Sequence, residues 1–294
     1  MKRALNILKW TGIGLVTLLA LIVATIYGVS QYKLTRNYDA DVPLVAITVP
    51  HDAVSVIEGK RLVGVYHCES CHGAGYKGNE FMKADMVATL IAPNLTTKIP
   101  TYTDPELARL VRHAVKKDGS NAWMFASGMY TPITDTDLGK MIGYLRTLPP
   151  VTGPDLGGNV YGPIGRALVV AGQFPIMAEA IDHKNIPPLG QDTTQLGRGK
   201  YLVMTVCSGC HGGPTLKGDP SDHMKSPPLV IAAAYTKDKL HHFLRTGEGG
   251  LAKKDCGMMS LTAKQFLHNL TDREIDAVYA FVQTLPNQKT VALR

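Results

Sequence analysis

The sequence predicts an all-α chain: one N-terminal apolar helix that spans a membrane, then two tandem copies of one helical module. Three observations predict it. A charge-free run from Thr11 to Val29 follows a short basic start. The rest of the chain repeats itself in order and spacing. Both copies carry helix-capping signals ahead of apolar residues at three- and four-residue spacing. The size agrees, since 294 residues exceed one ordinary domain and suit two of about 100 each. With 45% hydrophobic and 19% charged residues, the composition is that of a globular chain rather than a disordered one.

The apolar run comes first. Its 19 residues, at helical rise, nearly span a bilayer core of about 30 Å. Trp10 and Tyr27 sit near its ends, where interfacial aromatics belong. Lys2, Arg3 and Lys9 favour a cytoplasmic start. Residues 1–10 are therefore expected in the cytoplasm and 11–30 as a single-pass inner-membrane anchor. An extended linker is expected over 31–51. A cleaved signal peptide competes, but its apolar region is normally about 7–15 residues, and Ala20, Ala24 and Gly28 form no convincing cleavage site. Either reading exports the remaining chain to the periplasm or an equivalent compartment.

The modules are expected at 52–150 and 191–294. Gly59-Lys60-Arg61-Leu62-Val63 runs into Cys68, and Gly199-Lys200-Tyr201-Leu202-Val203 into Cys207. A middle helix follows in each, one with Leu107, Leu110, Val111 and Arg112, the other with Leu240, Phe243, Leu244 and Arg245. Thr103-Asp104-Pro105-Glu106 is a capping box with proline in the first turn. The last helices start at Thr134 and Thr271, each with an acid at the third helical position. They show matching faces, Leu138, Met141, Ile142 and Leu145 against Ile275, Val278, Tyr279 and Val282. Both stop at Thr-Leu-Pro. Two copies make a tandem pair, not a solenoid. Residues 151–190, rich in glycine and proline, form the interdomain connector. A short helix is expected there, packed between the domains or lying on the membrane surface.

The net charge of +7 is scattered. Without a dense basic run or interleaved aromatics, nucleic acid is not expected as a partner. The excess can steer an acidic protein.

Chemistry concentrates in Cys68-Glu69-Ser70-Cys71-His72 and Cys207-Ser208-Gly209-Cys210-His211. Two thiols two residues apart can take both vinyl groups of one haem, and the adjacent histidine then lies beneath the iron. This spacing points to c-type haem attachment. Zinc would need further ligands, a thioredoxin-like pair would need a βαβ context, and plain disulfides would not call for the histidine. Aromatics at 7% are thin for a large core, and a bulky apolar cofactor in each module makes up the shortfall.

These motifs, with Ala92-Pro93-Asn94-Leu95-Thr96 and the Thr-Asp-x-acid helix ending in Leu-Pro, resemble the class I cytochrome c family, specifically its membrane-anchored di-haem members. The resemblance covers nearly all of 52–294. It implies two covalently bound haem c groups, attached at Cys68, Cys71, Cys207 and Cys210. His72 and His211 are the implied proximal ligands, and a methionine before each last helix is the second axial ligand. Met124 and Met259 are the expected choices, with Met129 and Met258 as alternatives. Phe125 and Ser260 stand where that family has proline. Carbonyls of Pro93 and Pro228 are expected to accept from the histidine rings, and Arg112 and Arg245 to meet haem propionates or solvent. The remaining histidines, including His67, His113 and His241, are expected to be exposed or capping, and Cys256 a buried or inert thiol. Met82, Met86, Met141, Met177, Met204 and Met224 are expected to fill the core.

The function implied is electron carriage, not catalysis. Single electrons would pass between respiratory partners, namely a quinol-oxidising complex, a dehydrogenase or a terminal oxidase. A di-haem peroxidase and a fixed electron-transfer subunit of a periplasmic dehydrogenase are the alternatives.

Overall fold

The computed structural model describes residues 2–123, 127–219 and 226–287. The first helix, α1 (Lys2–Thr35), is long and apolar enough to cross a membrane. It continues past the expected anchor, so the linker expected from residue 31 begins only at Arg36.

The first module contains α2 (Ala53–Val65), α3 (Cys68–His72), β1 (Asn79–Ala84), β2 (Ala88–Ala92), α4 (Leu95–Lys98), α5 (Asp104–His113), α6 (Ser127–Tyr130) and α7 (Asp135–Arg146). The connector supplies β3 (Val160–Tyr161), α8 (Pro163–Val170) and α9 (Met177–Ala180). The second module has α10 (Gln195–Leu202), α11 (Lys237–Thr246), α12 (Met258–Gln265) and α13 (Asp272–Val282). Capping follows the sequence signals. The side chains of Thr103, Thr134 and Thr271 accept from the backbone of Glu106, Asp137 and Glu274, and the first and last pairs close full capping boxes.

A small antiparallel sheet, in the order β1-β2-β3, interrupts the helical plan. Ala88, Leu90 and Ala92 alternate into the core, an alternation too short to stand out beside the helical periods. Met86 turns the β1–β2 hairpin at φ +64° and is 58% exposed. It does not fill the core as expected, because the turn projects it outward.

In each module the first helix crosses the last, α2 on α7 and α10 on α13. The repeated Gly-Lys pairs explain how closely. A Cβ on Gly59 would lie 2.0 Å from the Lys140 carbonyl oxygen, and one on Gly199 would lie 1.9 Å from that of Ala277. No side chain larger than hydrogen fits either crossing.

The modules share one apolar core. Leu62, Val63, Leu138 and Ile142 of the first belong to the same cluster as Tyr201, Leu202, Ile275 and Phe281 of the second. A polar seam crosses this core. Arg61 Nη1 donates to Glu274 Oε2 at 2.7 Å, and Arg198 Nη2 to Glu274 Oε1 at 2.9 Å. Arg198 also reaches Asp137 at 3.3 Å, and Tyr201 Oη donates to Asp137 at 2.8 Å. Tyr66 Oη lies 3.1 Å from Tyr201 Oη and 3.2 Å from Thr205 Oγ1. Burying such groups is costly unless each finds a partner, and here the acids sit on the guanidiniums. Burial works to raise the Glu274 carboxyl, yet the hydrogen bonds from Arg61, the Thr271 amide and Arg198 leave it below its ordinary value.

The connector is docked rather than loose. Residues of β3 pair with β2, and α8 packs along the end of α1. Arg166 of α8 donates to Ser30 Oγ at 3.1 Å and to Gln31 Oε1 at 3.2 Å, with its guanidinium 5.0 Å from the centre of the Tyr27 ring. Leu34 joins a second apolar cluster with Tyr38, Val42, Val169 and Ile176. This packing is why α1 stays helical to Thr35.

Candidate functional site

The two Cys-x-x-Cys-His segments are built alike. Cys68, Cys71, Cys207 and Cys210 are not joined in disulfides. Burial first, and then the neighbouring cysteine, pushes the Cys68 and Cys207 thiols up to about 12. His72 Nδ1 lies 2.7 Å from the Pro93 carbonyl, and His211 Nδ1 lies 2.9 Å from the Pro227 carbonyl. A carbonyl only accepts, so each Nδ1 carries the proton and each Nε2 keeps its lone pair. Burial lowers both imidazoles below the ordinary value, and the proline carbonyl partly offsets it. A neutral ring with a free Nε2 and a braced Nδ1 is the donor that a haem iron requires. The residues therefore fit the group.

For His211 the accepting carbonyl belongs to Pro227, not Pro228 as expected. Glycines explain how the braces close. The amides of Gly78 and Gly218 donate to the carbonyls of His72 and His211 at 2.9 and 3.0 Å. A Cβ on Gly218 would lie 2.5 Å from Ser226 O and 2.7 Å from Pro227 C. This repeated glycine lets the proline segment approach the histidine. Asn94 caps α4 and donates to the Val151 carbonyl at 2.8 Å, fixing the Pro93 turn.

The approach to the first cysteine differs between modules. Cys68 lies nine residues after Gly59, and Cys207 eight after Gly199. In the first module the helix ends and His67 adopts φ +58° before α3 starts. In the second, one wide π turn (Val203–Cys207) carries the helix straight into the motif.

Met124 lies outside the described residues, as do His223 and Met224. Met129, the alternative, lies among the described residues. Its sulfur accepts from the Gly209 amide at 3.3 Å, inside the second motif. Its neighbour Tyr130 donates to the Tyr66 carbonyl at 2.5 Å. Burial raises the Tyr130 hydroxyl far above its ordinary value, with further upward effects from Cys68, Cys71 and Cys210. Tyr130 thus stands between the two Cys-x-x-Cys-His segments. On the other side, the His67 ring lies 4.8 Å from that of Phe266. Met129 thus meets the second Cys-x-x-Cys-His segment, and Phe266 meets the residue that precedes the first. Met259 packs against the shared core, while Met258 is 51% exposed.

Arg112 and Arg245 are both engaged within the protein. Arg112 donates to the Ile133 carbonyl and pairs with Asp135, whereas Arg245 donates to the His268 carbonyl and pairs with Asp272. In both modules the arginine of the middle helix clamps the start of the last one. His67 and His113 are not simple surface residues either. Burial lowers each to about 4, and His113 Nδ1 sits 3.0 Å from His183 Nδ1. Cys256 is half-buried, its sulfur 3.8 Å from the Lys253 carbonyl.

The cytochrome c family model matches residues 56–149 and 196–286, one match to each module. The chain belongs to the cytochrome c family. Membership implies covalently attached haem c. This cytochrome is 25% identical over 274 residues to the alcohol dehydrogenase (quinone) cytochrome c subunit of Gluconacetobacter polyoxogenes, covering 82% of the chain and 58% of the relative. It is 22% identical over 265 residues to the fructose dehydrogenase cytochrome subunit of Gluconobacter japonicus, covering 79% and 53%. The gluconate 2-dehydrogenase cytochrome c subunit of Pantoea cypripedii is also 22% identical, covering 78% and 59%. The cytochrome thus spans little more than half the length of these curated relatives.

Proposed function

We propose that this cytochrome carries two haem c groups and relays single electrons at the membrane surface on the exported side. The observation that carries the reading is the twofold construction of a braced, neutral histidine beside a pair of thiols. When bound, haem iron supplies one-electron exchange between its ferric and ferrous states, and an axial thioether raises its potential. The protein's part is to hold and tune. Cys68 and Cys71 anchor one group, and Cys207 and Cys210 the other. His72 and His211 present Nε2, with Pro93 and Pro227 fixing ring orientation and basicity. Met259 is the second ligand in module two, supported by its inward packing against the exposure of Met258. Met124 is the second ligand in module one, supported by the engagement of the Met129 sulfur with the Gly209 amide.

Partners would be membrane redox complexes meeting small, transient interfaces. The relatives' names favour a dehydrogenase as donor, so a fixed place in a dehydrogenase complex is the second reading. Co-purification of a catalytic subunit from detergent extracts supports that reading, and its repeated absence supports a mobile carrier.

The ligand set is tested by mass and spectroscopy. The mature protein should carry the mass of two haems. The weak far-red ferric band that reports sulfur–iron bonding should fall by half in Met259→Leu and in Met124→Leu, and stay whole in Met129→Leu. A halved band in Met129→Leu with an intact one in Met124→Leu would reverse the module-one assignment.

A further inference from the structure

We propose that the tip of the β1–β2 hairpin and the start of α8 form a second membrane contact, a lipid-facing ledge beside α1. The proposal rests on reading α1 as the membrane span. The apolar run of α1 ends at Val29, so the edge of the hydrocarbon lies near that residue. Arg166 is fixed at this level by Tyr27, Ser30 and Gln31. Ile164 precedes Arg166 by two residues in α8, about 3 Å of helical rise. The amides of Ile164 and Gly165 donate to the Met86 carbonyl at 3.0 and 3.3 Å, so the hairpin tip is held at the same height. A headgroup layer is about 5–7 Å thick on each side. Ile164 and Met86 therefore lie within one headgroup layer of the hydrocarbon edge.

Both side chains are apolar and outward, Ile164 49% and Met86 58% exposed. The backbone contact that presents them is tight. A Cβ on Gly162 would lie 2.4 Å from the Met86 oxygen, and one on Gly165 would lie 1.9 Å from that of Val87. Neither side chain can easily retreat. Arg166 over Tyr27 supplies the cationic and aromatic groups that suit an anionic headgroup region. Continuity with the span itself makes the bilayer, rather than a protein, the surface that covers this ledge.

The test uses the full haem-loaded chain in phospholipid nanodiscs, with Ile164 or Met86 replaced by the photoreactive residue p-benzoylphenylalanine. Val23 and Val54 serve as references, in the span and on an exposed face of α2 (77% exposed). After illumination, the proposal expects lipid-mass adducts at 164, 86 and 23 and none at 54. Adducts at 23 without adducts at 164 and 86 would overturn the ledge and leave the span intact. Absence of adducts at 23 would sink the span and the ledge together. Ile164→Cys and Met86→Cys, each with Cys256→Ser, repeat the test without a bulky group. A water-soluble maleimide should label them roughly tenfold more slowly than Val54→Cys, because one unit of thiol pKa in a less polar layer cuts the thiolate tenfold. Equal rates at all three positions would also overturn the proposal.

Discussion

Replacing Glu274 by glutamine removes one charge from the seam between the modules while leaving an acceptor for the Thr271 cap. Glu274 bridges two guanidiniums, Arg61 at 2.7 Å and Arg198 at 2.9 Å. Its side chain is 8% exposed, and theirs are 19% and 33%. Breaking a fully buried pair costs about 3–5 kcal/mol, and a surface pair about 0–1 kcal/mol. The geometry is nearer the first. Arg61 keeps Glu58 and Arg198 keeps Asp137, which lessens the loss. The expected cost is about 2–3 kcal/mol, or a fall of roughly 5–10 °C in Tm for a body of this size. Thermal unfolding followed by circular dichroism, on haem-loaded protein in detergent, reads it directly. The loss should also depend on pH. The Glu274 carboxyl lies below its ordinary 4.5 in the fold, so its contribution is complete above pH 4.5 and fades as pH falls through the folded value. Wild-type and variant curves should therefore converge in acid. A loss below about 0.5 kcal/mol at pH 7, the scale of exposed pairs, would refute the seam as a determinant of module packing.

Other outcomes follow from the same geometry. Gly59→Ala and Gly199→Ala should each lower the unfolding free energy read by denaturant titration by about 1–3 kcal/mol, since both crossings must part. Gly218→Ala should disturb the Pro227 brace and shift the midpoint potential of one haem only, in a spectroscopic redox titration. Arg245→Ala and Arg112→Ala should each destabilise the start of one last helix by about 1–3 kcal/mol, with the haem spectra unchanged at 25 °C.

Much of this architecture was legible in the linear pattern. Charge-free length marked α1. Threonine followed by an acid three residues on marked the starts of α5, α7 and α13, because a cap is a local device written within four residues. The repeated thiol and histidine spacing marked the two Cys-x-x-Cys-His segments as candidates, because that pattern is written within five residues. What escaped were features set by distant partners. Nothing local in Arg61 names Glu274, 213 residues away. Arg112 and Arg245 sat at repeated positions, a signal that favoured a shared structural task over a contact with solvent. Choosing Pro227 over Pro228 needed the path of the loop past Gly218. The sheet was hidden because its strands are short and one arrives from the connector. The π turn did leave a trace, the eight-residue against nine-residue spacing ahead of the cysteines.

The seam also bears on how such a chain could arise. Arg61 and Tyr201, at matching places in the first helices, each reach the acid at the third position of the other half's last helix, Glu274 and Asp137. That reciprocity is the signature of an isologous dimer, here written into a single polypeptide. Fusion turns a concentration-dependent encounter into an intramolecular one. It also frees the halves to diverge, so that, among the described residues, one carries a sheet and the other a π turn. Neither half is an interchangeable cassette, since cutting at the connector would strip the apolar wall from both.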